Sequence, residues 1–437
     1  MKSILFSTLS AWLARLLAIA INIVGLPLAL SALGQERFGL LLIVLSVGSW
    51  IGFANIGMGR VVSNIIARYK HLPSGFVANS ISTATAIAAI INIALFIISS
   101  VLFLTSASIF PLNTAIENNY AQFTVSIVSL FFALTLWFFL SVFEGVDAGH
   151  HQLHRLHLFQ LPSYALSLIL IVFVFPRHPS IVFATYLLSL SFLPGSLLHA
   201  VDVVRRNRDL FVAGFKWRRG TMRLLLLSSI DFTIISLGLG ILFQLATGLF
   251  GFIAGPSAVV ELGVFMRLMQ SYGTLVIAFT YPLSNIVASK IAARDYVSAL
   301  RTARFSGLLL FAGCSAGAVI FYMYANQLLS IWLHSDVKFR GLFLVSASAL
   351  IVVSAMHFYF AALLIGGGDT KSVARIHLLE AAAFIPFAYA LFTQWQEGGV
   401  LLALDITLFA GILSMLNGAR RHVVLGHLSG IRFWGSK

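Results

Sequence analysis

Cysteine is nearly absent: Cys314 is the only one in 437 residues. A lone thiol closes no intrachain disulfide and builds no thiolate metal cage. That excludes a stapled small domain and a cysteine-based zinc module. Charge is scarce as well. Asp, Glu, Lys and Arg make up 10% of the chain, against about 25% in a soluble domain. Acids are the rarer sign, 14 against 28 Lys and Arg. No P-loop motif occurs, which removes direct ATP coupling of that kind. The polar connections are short, so no soluble catalytic domain is expected on either side of a membrane.

What remains is apolar: 59% of residues are hydrophobic and the mean hydropathy is +0.97. Such a chain cannot cover itself with a water-facing surface, so its solvent is lipid. Apolar runs of about 20 residues recur, long enough as helix to cross about 30 Å of hydrocarbon. They lack the alternation, roughly ten residues per segment, of a barrel strand. Helical spans are predicted near 8–33, 38–56, 77–105, 121–143, 158–175, 181–203, 224–247, 259–289, 306–328, 341–365, 376–394 and 400–417, with the second free to run on past Ile56. The expected fold is all-α and polytopic, with about 12 transmembrane helices. The N-terminus looks faintly like a signal peptide. Its apolar region, however, continues to Leu33 and contains Arg15, so a retained first span is expected.

Basic residues sort by side. The even-to-odd connections and the two termini hold 22 Lys and Arg, the opposite loops hold 4, and Arg15 and Arg267 fall inside spans. This asymmetry places both termini in the cytoplasm. The net charge of +14 is then orientation and contact with anionic lipid, and no nucleic-acid partner is implied. A multi-pass protein of the bacterial cytoplasmic (inner) membrane is expected.

One stretch occurs twice. Val61–Arg68 reads VVSNIIAR and Val287–Arg294 reads VASKIAAR, five of eight positions identical at an offset of 226. Leu156–Phe159 (LHLF) and Ile376–Leu379 (IHLL) match at an offset of 220. Two matches in order suggest a duplicated half. The division expected is 1–203 as one six-helix lobe, 204–223 as a basic cytoplasmic linker, and 224–437 as a second lobe with a short basic tail. Six spans per half is even, so the repeats are parallel.

Leu26–Arg68 carries a Pro near the end of span 1, a short turn Leu33-Gly34-Gln35-Glu36-Arg37-Phe38-Gly39, Trp50 midway, and Asn55-Ile56-Gly57-Met58-Gly59 before a basic stretch. The second half has Glu261-Leu262-Gly263, Tyr281-Pro282-Leu283, Ala292–Tyr296, Asn326-Gln327-Leu328-Leu329-Ser330-Ile331-Trp332, and the segment Leu363–Arg375. This pattern resembles the polysaccharide flippases of the multidrug/oligosaccharidyl-lipid/polysaccharide exporter superfamily. Twelve spans favour the O-antigen and exopolysaccharide branch over the longer lipid II flippases. The resemblance implies movement of undecaprenyl-pyrophosphate-linked oligosaccharide from the cytoplasmic to the periplasmic leaflet. It also implies alternating access, a cationic central cavity, and service to O-antigen, capsule or exopolysaccharide biosynthesis. Expected partners are the lipid-linked oligosaccharide, membrane lipids, and a polysaccharide polymerase with its chain-length regulator. No cofactor is expected.

A pyrophosphate and its sugars need a polar path, and Arg suits phosphate because its guanidinium pairs two oxygens at once. Arg15 shares a helix face with Thr8 and Asn22, seven residues to either side. It lines the path or snorkels to cytoplasmic headgroups. Arg267, Gln270, Ser271 and Thr274 form one polar stripe on an apolar helix. These are the candidate substrate-binding residues. Asp231 is a candidate proton-coupling site or a salt-bridge partner of Arg15 or Arg267. Pro27 and Pro282 are candidate kinks. Glu380 and Asp405 read as interface positions. His150, His151, His154 and His157, beside Glu144 and Asp147, read as a solvated cytoplasmic turn in preference to a metal site.

Two rivals stand beside the flippase. A cation-coupled multidrug exporter of the same superfamily should have an acidic cavity, which Arg15 and Arg267 oppose. A membrane polymerase should have a large periplasmic loop, and the largest here is about Ser106–Tyr120 with one acid, Glu117.

Overall fold

The computed structural model describes residues 2–53, 57–69, 74–109, 114–150, 152–212, 219–293, 295–335 and 337–428. Among them every regular element is helical. The main helices are α1 (Lys2–Phe53), α2 (Met58–Tyr69), α3 (Ser74–Ile109), α4 (Tyr120–Gly149), α5 (His154–Phe173), α6 (Ile181–Ser189), α7 (Leu193–Arg206), α8 (Arg219–Gly240), α9 (Ala246–Ala254), α10 (Val260–Ala292), α11 (Tyr296–Leu333), α12 (Gly341–Gly366) and α13 (Thr370–Leu428). In hydrocarbon every backbone N–H and C=O must be paired within the chain, and a helix does this locally.

Nine described helical stretches are long and apolar enough to cross a membrane, and the pair α6 and α7, bent by 49°, makes a tenth. Two of the nine contain a backbone break. Gly34 (φ 75, ψ 166) divides α1, and Trp395 and Gln396 divide α13. Each broken helix covers two of the predicted spans, so among the described residues the twelve predicted segments fall largely on helix. The protein is an all-α, multi-pass membrane protein. Gly34 occupies a backbone region essentially closed to side-chain-bearing residues. The short turn read from the sequence is a one-residue break, with no loop around it.

The chain forms two compact units, Met1–Val264 and Phe265–Lys437. The sequence symmetry divides it instead within 204–223. The difference arises from 219–264, which packs on the first helix. A Cβ on Gly251 would meet Ile43 at 2.5 Å, one on Gly263 would meet Leu42 at 2.8 Å, and one on Gly39 would meet the Pro256 carbonyl at 2.1 Å.

Within the first unit, α2 is the stretch past Ile56 onto which the predicted second span was free to run, and it forms a helix of its own. Its apolar positions Met58, Val61, Val62, Ile65 and Ile66 recur at helical spacing and are all buried. They pack with Val77, Ile81, Ala84 and Ile87 of α3 and Leu140, Phe143 and Val146 of α4. The first copy of the repeated octapeptide is thus a core element. In the second copy, 287–292 ends the long α10. Helices α2 and α4 meet backbone to backbone. A Cβ on Gly145 would lie 2.2 Å from the Gly59 carbonyl oxygen, and one on Gly59 would lie 2.3 Å from that of Ser141. Small residues allow such approach where lipid supplies no hydrophobic drive between helices. Gly145→Ala should therefore lower stability by about 1–3 kcal/mol through overpacking. Thermal unfolding in detergent checks this, and an unchanged midpoint would contradict the contact.

The second unit is built on the aromatic group Phe265, Phe321, Phe339 and Phe343, with ring centroids 4.7 to 6.2 Å apart. The connection before α12 is latched by Asn326. Its Nδ2 donates to the Phe339 carbonyl at 2.9 Å and its Oδ1 accepts from the Phe339 N–H at 2.8 Å. One amide satisfies both backbone groups of a residue outside any helix. The Tyr272 hydroxyl donates to the Ile351 carbonyl at 2.7 Å, joining α10 to α12.

Candidate functional site

The second unit holds the strongest of the sequence-derived candidates. Arg267 lies about two turns into α10 and is 7% exposed. Its Nη1 donates to the Gln270 Oε1 at 2.8 Å, the i, i+3 pairing the polar stripe predicts. Its Nη2 is buried and has no hydrogen-bond partner among the described residues. Ser271 and Thr274 share the stripe, but their hydroxyls turn back on their own helix. Ser271 Oγ donates to the Arg267 carbonyl at 3.3 Å and Thr274 Oγ1 to the Gln270 carbonyl at 3.0 Å. Intrahelical bonding hides both hydroxyls from an apolar surrounding. What the stripe leaves available is one guanidinium and one exposed amide, Gln270.

In the first unit, Arg15 on α1 is half-buried. Asn22 is half-buried too. Its Nδ2 donates to the Ala18 carbonyl at 3.0 Å, and its Oδ1 is buried without a partner among the described residues. Thr8 lies in α1, but its side chain falls outside the described residues. Asp231 is half-buried in α8. Pro27 does not interrupt α1, whose non-helical residue is Gly34. Pro282 lies within the continuous α10, its side chain outside the described residues.

Two expectations are overturned. Asp147 is not part of a solvated turn. It is 1% exposed, accepts from Arg206 Nη2 at 2.9 Å, and pairs with His199 Nε2 at 2.9 Å. Arg206, assigned to the linker by sequence, ends α7 and folds back, also donating to Asp202 at 2.8 Å and Gln152 at 2.9 Å. Glu144 likewise turns inward, accepting from Trp137 Nε1 at 3.3 Å. His151 lies outside the described residues. The second correction concerns Glu380. It sits at no periphery, being 5% exposed and held between His357 and His377. Asp405 is buried as well, its Oδ1 without a partner. Sequence reading missed His199, His357 and His377. The available signal was an imidazole inside an apolar run, where an uncompensated polar group is costly.

No protein-family model matches the sequence, and no curated protein matches it. Solved structures do match along nearly the full length. One is a multidrug resistance MATE family transporter of the MOP superfamily in an inward-facing conformation. Its TM-score is 0.76 at 16% identity, covering 94% of this chain and 96% of that one. The eukaryotic MATE transporter AtDTX14 aligns with a TM-score of 0.70 at 11% identity over 98% of both chains. A MOP superfamily transporter from Pyrococcus furiosus, described as having a binding pocket of reverse polarity that suggests a different function, aligns at 0.68 and 16% identity over 97% and 96%. Alignment of one helical framework over nearly its full length gives this chain the fold of the MATE transporters of the MOP superfamily.

Proposed function

We propose that this protein is an exporter of the MOP-superfamily kind, carrying small organic solutes across the membrane by alternating access. The observation that carries the reading is the full-length fold match to MATE multidrug transporters. It supports the multidrug-exporter reading better than the flippase reading. The test is expression in a bacterial host stripped of its own efflux pumps, with a panel of organic cations and anions. Raised inhibitory concentrations for members of the panel are the expected result. No change for any compound, together with loss of surface polysaccharide when the native gene is deleted, would reverse the order of the two readings.

The second reading is the flippase of undecaprenyl-pyrophosphate-linked oligosaccharide, and one observation favours it. The deepest candidate group is a cation, Arg267, with donors to spare. A guanidinium suits phosphate and repels organic cations. The P. furiosus transporter is described as having reversed pocket polarity, so the fold alone does not fix the charge of the cargo.

A further inference from the structure

The second unit contains a polar cluster that the transport reading does not use. His357 projects from α12, and His377 and Glu380 from the first turns of α13. His357 Nε2 lies 2.8 Å from Glu380 Oε1, and His377 Nδ1 lies 2.7 Å from Glu380 Oε2. The two imidazoles are 4.9 Å apart, centroid to centroid. All three side chains are 5% exposed or less. Glu380 forms ion pairs with these histidines and, among the described residues, with no Lys or Arg. With both rings neutral the cluster holds one uncompensated negative charge in a low-dielectric interior.

We propose that His357, His377 and Glu380 form a binding site for a divalent transition metal of the zinc class. Three observations converge on it. The first is the donor set. Two imidazole nitrogens and one carboxylate oxygen all lie within 4.8 Å of one another. A tetrahedral ion at about 2.0–2.2 Å from each donor needs them about 3.3 Å apart, so the His–Glu contacts at 2.8 and 2.7 Å would open and wider donor separations, up to 4.8 Å, would close. Two histidines and a glutamate leave a fourth position for water.

The second is a cradle. A Cβ on Gly411 would lie 1.5 Å from Glu380 Oε1 and 3.4 Å from His357 Nε2. Only a residue without a side chain leaves room there for the carboxylate, so any larger residue at 411 would displace Glu380 from the two histidines.

The third comes from the repeat. At the offset of 220 that aligns LHLF with IHLL, His377 corresponds to His157 and Glu380 to Gln160. Gln160 is buried and donates to Ser196 Oγ at 3.1 Å. An amide therefore satisfies the helix packing in the first half. The carboxylate in the second half adds a charge that packing alone does not need.

Ligation requires each donor nitrogen to be free of its proton. The ring proton then sits on the far nitrogen, His357 Nδ1 in one case, which is buried without a partner among the described residues. Loss of such an outer partner lowers metal affinity roughly 10–100-fold, which makes this an exchangeable site and not a permanent one.

The test uses the full chain, purified in detergent without a polyhistidine tag and stripped with chelator, then titrated with Co²⁺ and competed with Zn²⁺. The expected result is one equivalent of Co²⁺ with the visible absorption bands of tetrahedral coordination, displaced by Zn²⁺. X-ray absorption of the Zn²⁺ form should show two imidazoles. Glu380→Gln copies the first-half arrangement and should fold normally while weakening binding by more than roughly 100-fold, beyond what losing an outer partner does. Gly411→Ala should abolish the bands. Wild-type protein without tetrahedral bands overturns the site with no variant needed. Bands that survive in both Glu380→Gln and His377→Ala, or that vanish only when His150 and His154 are replaced, also overturn it. So does a cluster that titrates with protons but takes up no metal.

Discussion

Arg267→Ala should cut transport by about 10–100-fold, the equivalent of one hydrogen bond to a charged group at about 1.5–3 kcal/mol, without harming stability. The two halves of that expectation discriminate between roles. A guanidinium well inside a span costs roughly 2.5–3.5 kcal/mol to place there. If Arg267 only filled space, its removal would leave transport intact. Its Nη2 has no hydrogen-bond partner, so little native bonding is lost beyond Gln270. Thermal midpoints in detergent should stay level or rise. Arg267→Lys keeps the charge and loses the planar fork, so it should rescue part of the activity for a phosphate-bearing cargo. The assay is export of whichever compound the solute panel identifies, or surface polysaccharide if the panel identifies none. Unimpaired transport in Arg267→Ala would remove this residue from the cargo path.

The largest stability effect is expected at Asp147. Asp147→Ala should destabilise the protein by about 3–5 kcal/mol, the range for breaking a buried pair by deleting one partner. His199, buried beside it, would lose its partner on the Nε2 side. Arg206 would keep Asp202 and Gln152, which places the result toward the lower end of the range. Asp202→Ala gives the contrast. Its pair with Arg206 spans one helical turn and both side chains are a quarter or more exposed, so the loss should stay below about 1 kcal/mol. A thermal-shift series of the two variants in one detergent measures the difference. Equal effects would show that burial of Asp147 does not govern its energetics.

These two residues also mark what the sequence reveals. Arg267 was legible because a polar stripe on an apolar helix has a period, and Gln270 closes the i, i+3 pair that the period requires. Asp147 was not, because its partners come from α7, 52 and 59 residues away. The spans were legible because composition reports transfer into lipid. Their inner faces were not. Phe305 is 70% exposed and Leu379 is 70% exposed, whereas Phe265 is 1% exposed. Lipid and protein interior are equally apolar, so hydrophobicity carries no record of which a side chain touches. Glu380 shows the same limit from the polar side. A lone acid in a span reads as an edge position until His357, 23 residues earlier, is seen to face it. The repeat and the packing divide the chain at different places. Sequence symmetry divides the chain at its basic linker, while packing of 219–264 on α1 divides it at Val264 and Phe265.

The break at Gly34 has a practical side. Two spans are joined there through the torsions of one residue, φ 75 and ψ 166, with helix on both flanks. Such a joint offers nothing for a protease to grip and no slack to take up an epitope. A reporter or labelling cysteine meant to map the exposed face should go elsewhere. The connection around His334 and Lys338 lies outside helix. An insertion at Gly34 would shear the register of both flanking spans, and its failure to express would say nothing about which side of the membrane it faced.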